Sequence, residues 1–403
     1  MTSDNGGPRV LHVVISYPPD FGGIGSQLRA LVPFLSHEGV RSAVLTSHVA
    51  PGPLAERIDG CEVLRLPRTP GRRGHLSFAM RAGWWAVGRR KDFDLVHFHG
   101  ADWPAIAGVP TLRLLGMKTL VTLTLLGVDD PLSLRASKLG WLKDAALRRT
   151  DRVIGISSAL AAASREAGWS PDATCQIPYG VDVVRRSPLA PDDRRRTRQR
   201  LAARFGFDPD RPLVCFVGAV IRRKGIDLLM TAWPGVVRAV PGATLLIVGP
   251  TGTEGDSEEF SRRFVEETVV AAGQPSVLLT GPMAEPADVY RASDVFVLPS
   301  RREGLPNVVL EACACGVAPV VADLPGVSPD VIEDGVTGLV VPQEAPEALS
   351  AAIVRLLANP DLRDACAARA RRLAVDRYGL DRVAAAMARE YDRLAGGDRS
   401  LDA

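Results

Sequence analysis

The chain has 403 residues, 46% of them hydrophobic and 24% charged, which is enough for two ordinary domains and excludes collagen-like, mucin-like and wholly disordered classes. With 49 Lys and Arg against 46 Asp and Glu, the formal charge of +3 is too near balance to argue for a nucleic-acid partner. Six scattered cysteines form neither a C-x-x-C pair nor a metal-ligand spacing, which fits a reduced compartment.

The opening stretch MTSDNGGPRVLHVVIS shows no basic segment followed by an apolar core and a small-residue cleavage site, and no apolar run approaches the ~20 residues of a membrane span. A cytoplasmic protein is expected. Short runs rich in Val, Ile and Leu then alternate with helical patterns. They fall at 10–16, 42–46, 95–99, 120–123, 152–156 and 175–177 in the first half, and at 213–218, 244–248, 277–279, 295–298, 318–322 and 338–341 in the second. Apolar strands separated by helices predict α/β units with parallel sheets covered on both faces. Two doubly wound domains are expected, residues 1–183 and 211–377. Between them, 184–210 is rich in Pro, Asp and Arg and lacks strand pattern, so it reads as a linker carrying one exposed helix. A terminal helix is expected at about 378–396, stopping at Gly396-Gly397, with 397–403 a disordered tail.

In open α/β sheets ligands sit beyond the carboxyl ends of the strands, so the loops there carry the functional signal. After the first strand comes YPPDFGGIGSQLRALVPFL, in which Gly22, Gly23 and Gly25 allow close backbone approach. A dinucleotide fingerprint would need glycine at position 28, which is Leu28. Further on, HLSFAMRAGWWAVGRRKDF sets Trp84 and Trp85 among Arg81, Arg89, Arg90 and Lys91. This reads either as an interfacial helix touching a membrane or as a helix packing its Trp pair on the sheet. In DLVHFHG, His99 with Asp102 would line the acceptor side of a cleft, unless the histidines are structural. The loop AVIRRKG brings Arg222, Arg223 and Lys224 to a sheet edge, where cations would neutralise a departing diphosphate.

The segment REGLPNVVLEACACG places Glu303 and Glu311 around Gly304-Leu305-Pro306-Asn307, with a helix expected from Asn307 to a stop at Gly316. First-turn amides of Asn307, Val308 and Val309 would form an anion site. Glu311, one turn inward, would accept two ribose hydroxyls, and Glu303 would meet what the phosphates carry. A glutamate interacting with the helix dipole is the alternative for Glu311 that needs no ligand.

The run ASDVFVLPSRREGLPNVVLEACACGVAPVVADLPGVSPDVIEDGVTGLVVP resembles the donor half of the family-4 retaining glycosyltransferases (group 1). More loosely, FVGAVIRRKGIDLLMTAW, LLIVGP, QIPYGVDV and the early glycine loop extend the likeness over nearly the whole chain. The resemblance implies a GT-B architecture of two Rossmann-like domains facing a cleft, with the last helix crossing back to the first. It implies catalytic or charge-stabilising roles for Glu303, Lys224 and Arg223. Donor contacts would come from Glu311, Gly23, Gly218, Arg222, Gly304, Leu305, Asn307 and Val308, and acceptor-side contacts from His99, Asp102 and Asp129. Two departures stand out. Leu126 occupies the place of a histidine in a T-x-H-G-x-D pattern, and Ala219 that of an arginine whose charge Arg222 or Arg223 would replace.

The expected activity is retaining transfer of a sugar from a nucleoside diphosphate sugar to a glycan or lipid-linked acceptor, without cofactor, metal or nucleic acid. Peripheral contact with the inner membrane face accompanies the lipid-linked case. A nucleotide-sugar epimerase and a catalytically silent sugar-nucleotide binding protein are the alternatives.

Overall fold

The computed structural model describes residues 6–20, 22–48, 54–69, 71–251, 260, 264 and 276–396. The expected tail at 397–403, with Gly397, lies outside them. The chain divides into two units, Met1–Gly180 with Leu380–Ala403, and Val181–Gly379.

The first unit is built on eight strands: β1 (Arg9–Val14), β2 (Arg41–His48), β3 (Ala55–Ile58), β4 (Cys61–Pro67), β5 (Leu95–His99), β6 (Lys118–Leu123), β7 (Arg152–Gly155) and β8 (Thr174–Gln176). Their order is β3-β4-β2-β1-β5-β6-β7-β8, so the direction of winding reverses between β1 and β5. All neighbours are parallel except β3, an antiparallel edge joined to β4 through Asp59 and Gly60, both at positive φ. This hairpin is not in the sequence reading, although an Asp-Gly pair between Ile58 and Cys61 is its usual signature.

Side chains alternate across a strand, so Val10 and His12 share a face with their neighbours Leu95 and His97. On that face Val10, Leu95, Leu120 and Ile154 pack against Leu31 and Leu35 of the first helix (Gly23–His37). Leu380, Val383, Met387 and Tyr391 of the last helix (Leu380–Ala395) complete the cluster. The last helix therefore belongs to the first unit. Arg152 fixes it with an ion pair to Glu390 at 2.6 Å.

The second unit is a six-stranded parallel sheet. Its strands are β9 (Leu213–Val217), β10 (Thr244–Val248), β11 (Val277–Gly281), β12 (Val295–Leu298), β13 (Ala318–Ala322) and β14 (Leu339–Val341), in the order β11-β10-β9-β12-β13-β14. Winding reverses between β9 and β12. Crevices for ligands form at such reversals, outside the carboxyl ends of the strands.

The Arg-rich helix, Pro191–Phe205, belongs to this unit instead of a free linker. Arg194 and Arg198 reach Asp294 at 2.9 and 3.0 Å, and Asp294 also accepts the Leu213 amide at 2.8 Å. Burial pushes the Asp294 carboxyl up, but Arg198, the Leu213 amide and Arg194 outweigh it and hold it below the usual range. Two arginines of the expected solvated face are thus structural clamps. Their partner lies 96 or more positions away, beyond the reach of local pattern.

In the first unit the row of apolar side chains on the helix-covered face gives way to histidines. His12 Nδ1 lies 3.0 Å from His99 Nε2, and His12 Nε2 lies 3.1 Å from the Ser42 hydroxyl. His97 joins the Tyr391 and Thr122 hydroxyls, each at 2.7 Å. Burial pushes all three rings below their ordinary range, His99 to about 3. The unfolded chain binds protons at these sites from about pH 6.5 downward while the folded chain does not, so stability is lost as pH falls. Urea unfolding between about pH 7 and pH 5 is expected to show a loss of up to about 1.4 kcal/mol per pH unit for each histidine. His12→Gln should flatten that slope by one proton's share. An unchanged slope would show that the cluster does not govern acid stability.

Candidate active site

The second unit gathers its candidate side chains at the β9–β12 reversal. After β9 the backbone passes Gly218 (φ +153) and a 3-10 turn, Arg222–Lys224, closed by Gly225 at φ +70. A Cβ on Gly225 would stand 1.9 Å from the Pro299 carbonyl oxygen, so only glycine lets this loop lie against the one following β12. The Arg301 amide donates to the Arg223 carbonyl at 2.8 Å, and the Arg223 guanidinium donates to the Arg302 carbonyl at 2.8 Å. Arg301 also grips Asp227 through two bonds of 2.7 and 3.0 Å and reaches Glu344. The two loops are thereby locked together.

Within this frame the buried Glu303 carboxylate accepts Lys224 Nζ at 2.6 Å, Arg223 Nη1 at 3.2 Å and the Ser300 hydroxyl at 2.8 Å. Burial alone would push its carboxyl up. Lys224 and Arg223 prevail and hold it below the ordinary glutamate value, so it is ionised. The sequence assigned Glu303 and the cations to different parts of a ligand, whereas here they are in direct contact. Arg222 does not join them. It is 75% exposed and 4.0 Å from Asp227, whereas Arg223 is the arginine that reaches Glu303.

The expected helix is present as Asn307–Ala314, with Gly316 at φ +76 just beyond its end. Gly304 and Leu305 are buried beneath it, while Asn307 and Val308 are half-buried at its start. One expected donor is already engaged: the Val309 amide donates to the Pro306 carbonyl at 2.9 Å. The first-turn anion site therefore loses Val309. Asn307 Oδ1 is buried without a partner.

Glu311, one turn inward, meets two residues that local motif reading missed. The Tyr290 hydroxyl donates to Oε2 at 2.9 Å and Arg186 Nη2 lies 3.0 Å from Oε1. Burial pushes this carboxyl up, and Arg186 and Tyr290 offset that only in part. Aspartate 323 and the Leu324-Pro325-Gly326 turn follow β13 at the same sheet edge.

The first unit presents Gly23, His99, Asp102 and Asp129 at the carboxyl ends of its own strands. Gly23 opens the first helix after β1. His99 is buried and paired with His12, so its polar reach is inward and not toward Asp102. It also lines a cavity of about 20 Å³ with Gln27, Thr122 and Tyr179, room for about one water. Asp129 is a loop staple, accepting the Thr124 amide at 2.8 Å, the Thr124 hydroxyl at 2.7 Å and the Leu125 amide at 2.7 Å. These two placements share a reason: a buried polar group must find partners inside the protein. Asp102 stays half-buried at the sheet edge, its carboxyl pushed up to about 8 by burial and then by Asp129.

Among the described residues, His12, His97 and His99 form a group whose nitrogens lie close enough for a metal, within 4.8 Å. Their hydrogen bonds to Ser42, Thr122, Tyr391 and one another account for them as a core network. On the surface, the helix Gly71–Gly88 exposes Leu76, Met80 and Trp84, the last at 79%, one turn apart from each other. Trp85 instead packs beside Phe93, with Arg89 5.1 Å above its ring. The Trp pair is therefore split, with only Trp85 turned toward the protein.

The family model for glycosyl transferases group 1 matches residues 197–373, and that for the glycosyl transferase 4-like domain matches 22–180. A GDP-mannose-dependent alpha-(1-6)-phosphatidylinositol monomannoside mannosyltransferase of Mycolicibacterium smegmatis is 32% identical over 92% of this chain and 94% of its own. A D-inositol 3-phosphate glycosyltransferase of Kineococcus radiotolerans is 30% identical over 95% of this chain and 93% of its own. In fold, sucrose-phosphate synthase from Thermosynechococcus elongatus superposes with a TM-score of 0.82 at 24% identity, over 97% of this chain and all of that one. With each unit matched by a model of this family and a relative similar along nearly the whole length, the chain belongs to the group 1 glycosyltransferases.

Proposed function

We propose that the protein transfers a mannosyl-type residue from a nucleoside diphosphate sugar, with retention at the anomeric carbon, to an inositol phosphate glycolipid held at a membrane surface. The observation that carries the donor side is the ionised Glu303 bound to Lys224 and Arg223 at the strand-order reversal. A donor entering there meets cations for its diphosphate, the free amides of Asn307 and Val308, and a carboxylate for its sugar hydroxyls. Gly218, Gly304 and Leu305 shape the backbone beside it. Charge that grows on the leaving diphosphate is met by Lys224 and Arg223, the kind of preorganised stabilisation that dominates such sites, and no metal is called on. Family membership favours transfer over the epimerase and silent-binder alternatives.

Retention rests on the family likeness and on the site's arrangement. Glu303, the acidic side chain paired with Lys224 and Arg223, is tied to them, which suits departure of the diphosphate ahead of acceptor attack from the same face. Asp102, with its carboxyl near 8, is the acceptor-side group we assign to an incoming hydroxyl.

The acceptor assignment draws on two supports. The descriptions of the two relatives named above carry a phosphatidylinositol monomannoside and a D-inositol 3-phosphate. The exposed apolar row Leu76, Met80 and Trp84 is flanked by basic residues, and residues 71–91 contain no Asp or Glu. Aromatic and basic side chains together suit an anionic leaflet, where each cation contributes about 1 kcal/mol. A water-soluble inositol phosphate is the second reading, supported by the D-inositol 3-phosphate relative.

Four experiments test this reading. Glu311→Ala should weaken GDP and GDP-sugar binding alike, by about 2 to 4 kcal/mol for two hydroxyl bonds to a charged acceptor. Calorimetry that finds unchanged nucleotide affinity in a folded variant removes Glu311 from the ribose.

Glu303→Ala should leave free-nucleotide binding nearly intact while turnover falls by a factor of about 100 or more, because an oriented sugar is lost. Wild-type product examined by NMR should carry the donor's anomeric configuration. An inverted product rejects retention, and equal losses for nucleotide and nucleotide sugar reject a separate sugar role for Glu303.

Anionic vesicles should co-sediment with wild-type protein in a salt-sensitive manner and release a Trp84→Ser, Arg89→Glu, Arg90→Glu variant. Absence of binding at low ionic strength, with transfer to soluble inositol phosphate intact, favours the second reading.

A further inference from the structure

We infer that Arg186 is a positioning residue for the donor nucleotide, fixing the Glu311 carboxylate so that one lone pair on each oxygen is left for a ribose. The inference rests on the ribose role given to Glu311 above. An ionised carboxylate offers about four acceptor positions. Arg186 Nη2 forms an ion pair with Oε1 at 3.0 Å, and the Tyr290 hydroxyl donates to Oε2 at 2.9 Å. With the carboxylate held from both sides, each oxygen keeps at least one acceptor position, the pattern that two vicinal hydroxyls require.

Arg186 is held in place by its surroundings. Arg371 donates to the Val183 carbonyl at 2.7 Å and to the Ala314 carbonyl at 2.8 Å, tying the 183–187 segment to the end of the Glu311 helix. Arg291 donates to the Ser187 carbonyl at 2.9 Å. The Arg186 side chain is only 16% exposed, and its Nη1 is buried with no partner. A buried donor left unpaired is costly, so Nη1 is poised for an acceptor atom that a ligand would bring.

Charge gives Arg186 a role that shape alone would not. Glu311 faces Arg186, Tyr290 and, more distantly, Glu285; Cys315 lies by Arg186 and Arg291. Burial and Glu285 favour the neutral acid, while Arg186, first among the opposing groups, and Tyr290 favour the carboxylate. Without Arg186 the acid form persists to higher pH. A protonated Glu311 loses acceptor capacity, so nucleotide affinity in such a variant should fall as pH falls, starting from a higher pH than in the wild type.

The test measures Kd for GDP and UDP by calorimetry at about pH 7.5 and about pH 5.5, with wild type, Arg186→Met, Arg186→Lys and Glu311→Ala. The loss of affinity between the two pH values should be at least about threefold larger in Arg186→Met than in wild type, and Arg186→Lys should restore most of the wild-type profile. If Arg186→Met does not fold, Arg186→Gln carries the same comparison. A loss equal at both pH values, or none, overturns the inference while a weakened Glu311→Ala leaves the ribose role standing. Unchanged affinity in Glu311→Ala overturns both.

Discussion

A carboxylate buried in a protein must be matched by positive charge or give up its own. Glu303 is matched, by Lys224 and Arg223, and this one cluster joins the loop after β9 to the loop after β12. Other features serve the same junction: Gly225 removes the side chain that would strike Pro299, and Arg301 clamps Asp227 and Glu344. Because the sheet reverses its winding between these strands, the junction coincides with the crevice where α/β sheets bind ligands.

The two glutamates of the motif show how environment separates identical groups. Both are removed from water, which raises a carboxyl. Glu303 has two cations and ends below its ordinary value; Glu311 has one cation and a phenol and ends above it. Unequal counter-charge is a common way to give paired acids different tasks. Glu303 is thereby held ionised, while the Glu311 carboxyl is held above its ordinary range by burial that Arg186 and Tyr290 offset only in part.

The first unit divides its polar residues between the core and the sheet edge. His12, His97 and His99 continue an apolar row across β1 and β5, and they survive there because hydroxyls from Ser42, Thr122 and Tyr391 meet them. Tyr391 comes from the last helix, so the return of the chain to the first unit also satisfies its buried imidazoles. Asp129 is consumed in closing its own loop. Asp102 stays half-buried at the sheet edge.

Period and composition in the sequence determined the strands, the parallel sheets, the helix beginning at Asn307 and the gathering of Glu303, Lys224 and Glu311 at strand ends. These are local matters, because a strand's apolar run, a glycine stop and a loop after a strand are all written within a few residues. The β3–β4 hairpin has a local signature too, in Asp59-Gly60. Tertiary structure alone decided who pairs with whom. Arg186 looks like linker charge until it is found beside Glu311, 125 positions on by the numbering; Arg194 and Arg198 look solvated until Asp294 appears. His99 looks available until His12 meets it across two strands. Charge and hydrogen bonding act through space, and sequence separation carries no information about that distance until the sheet has formed.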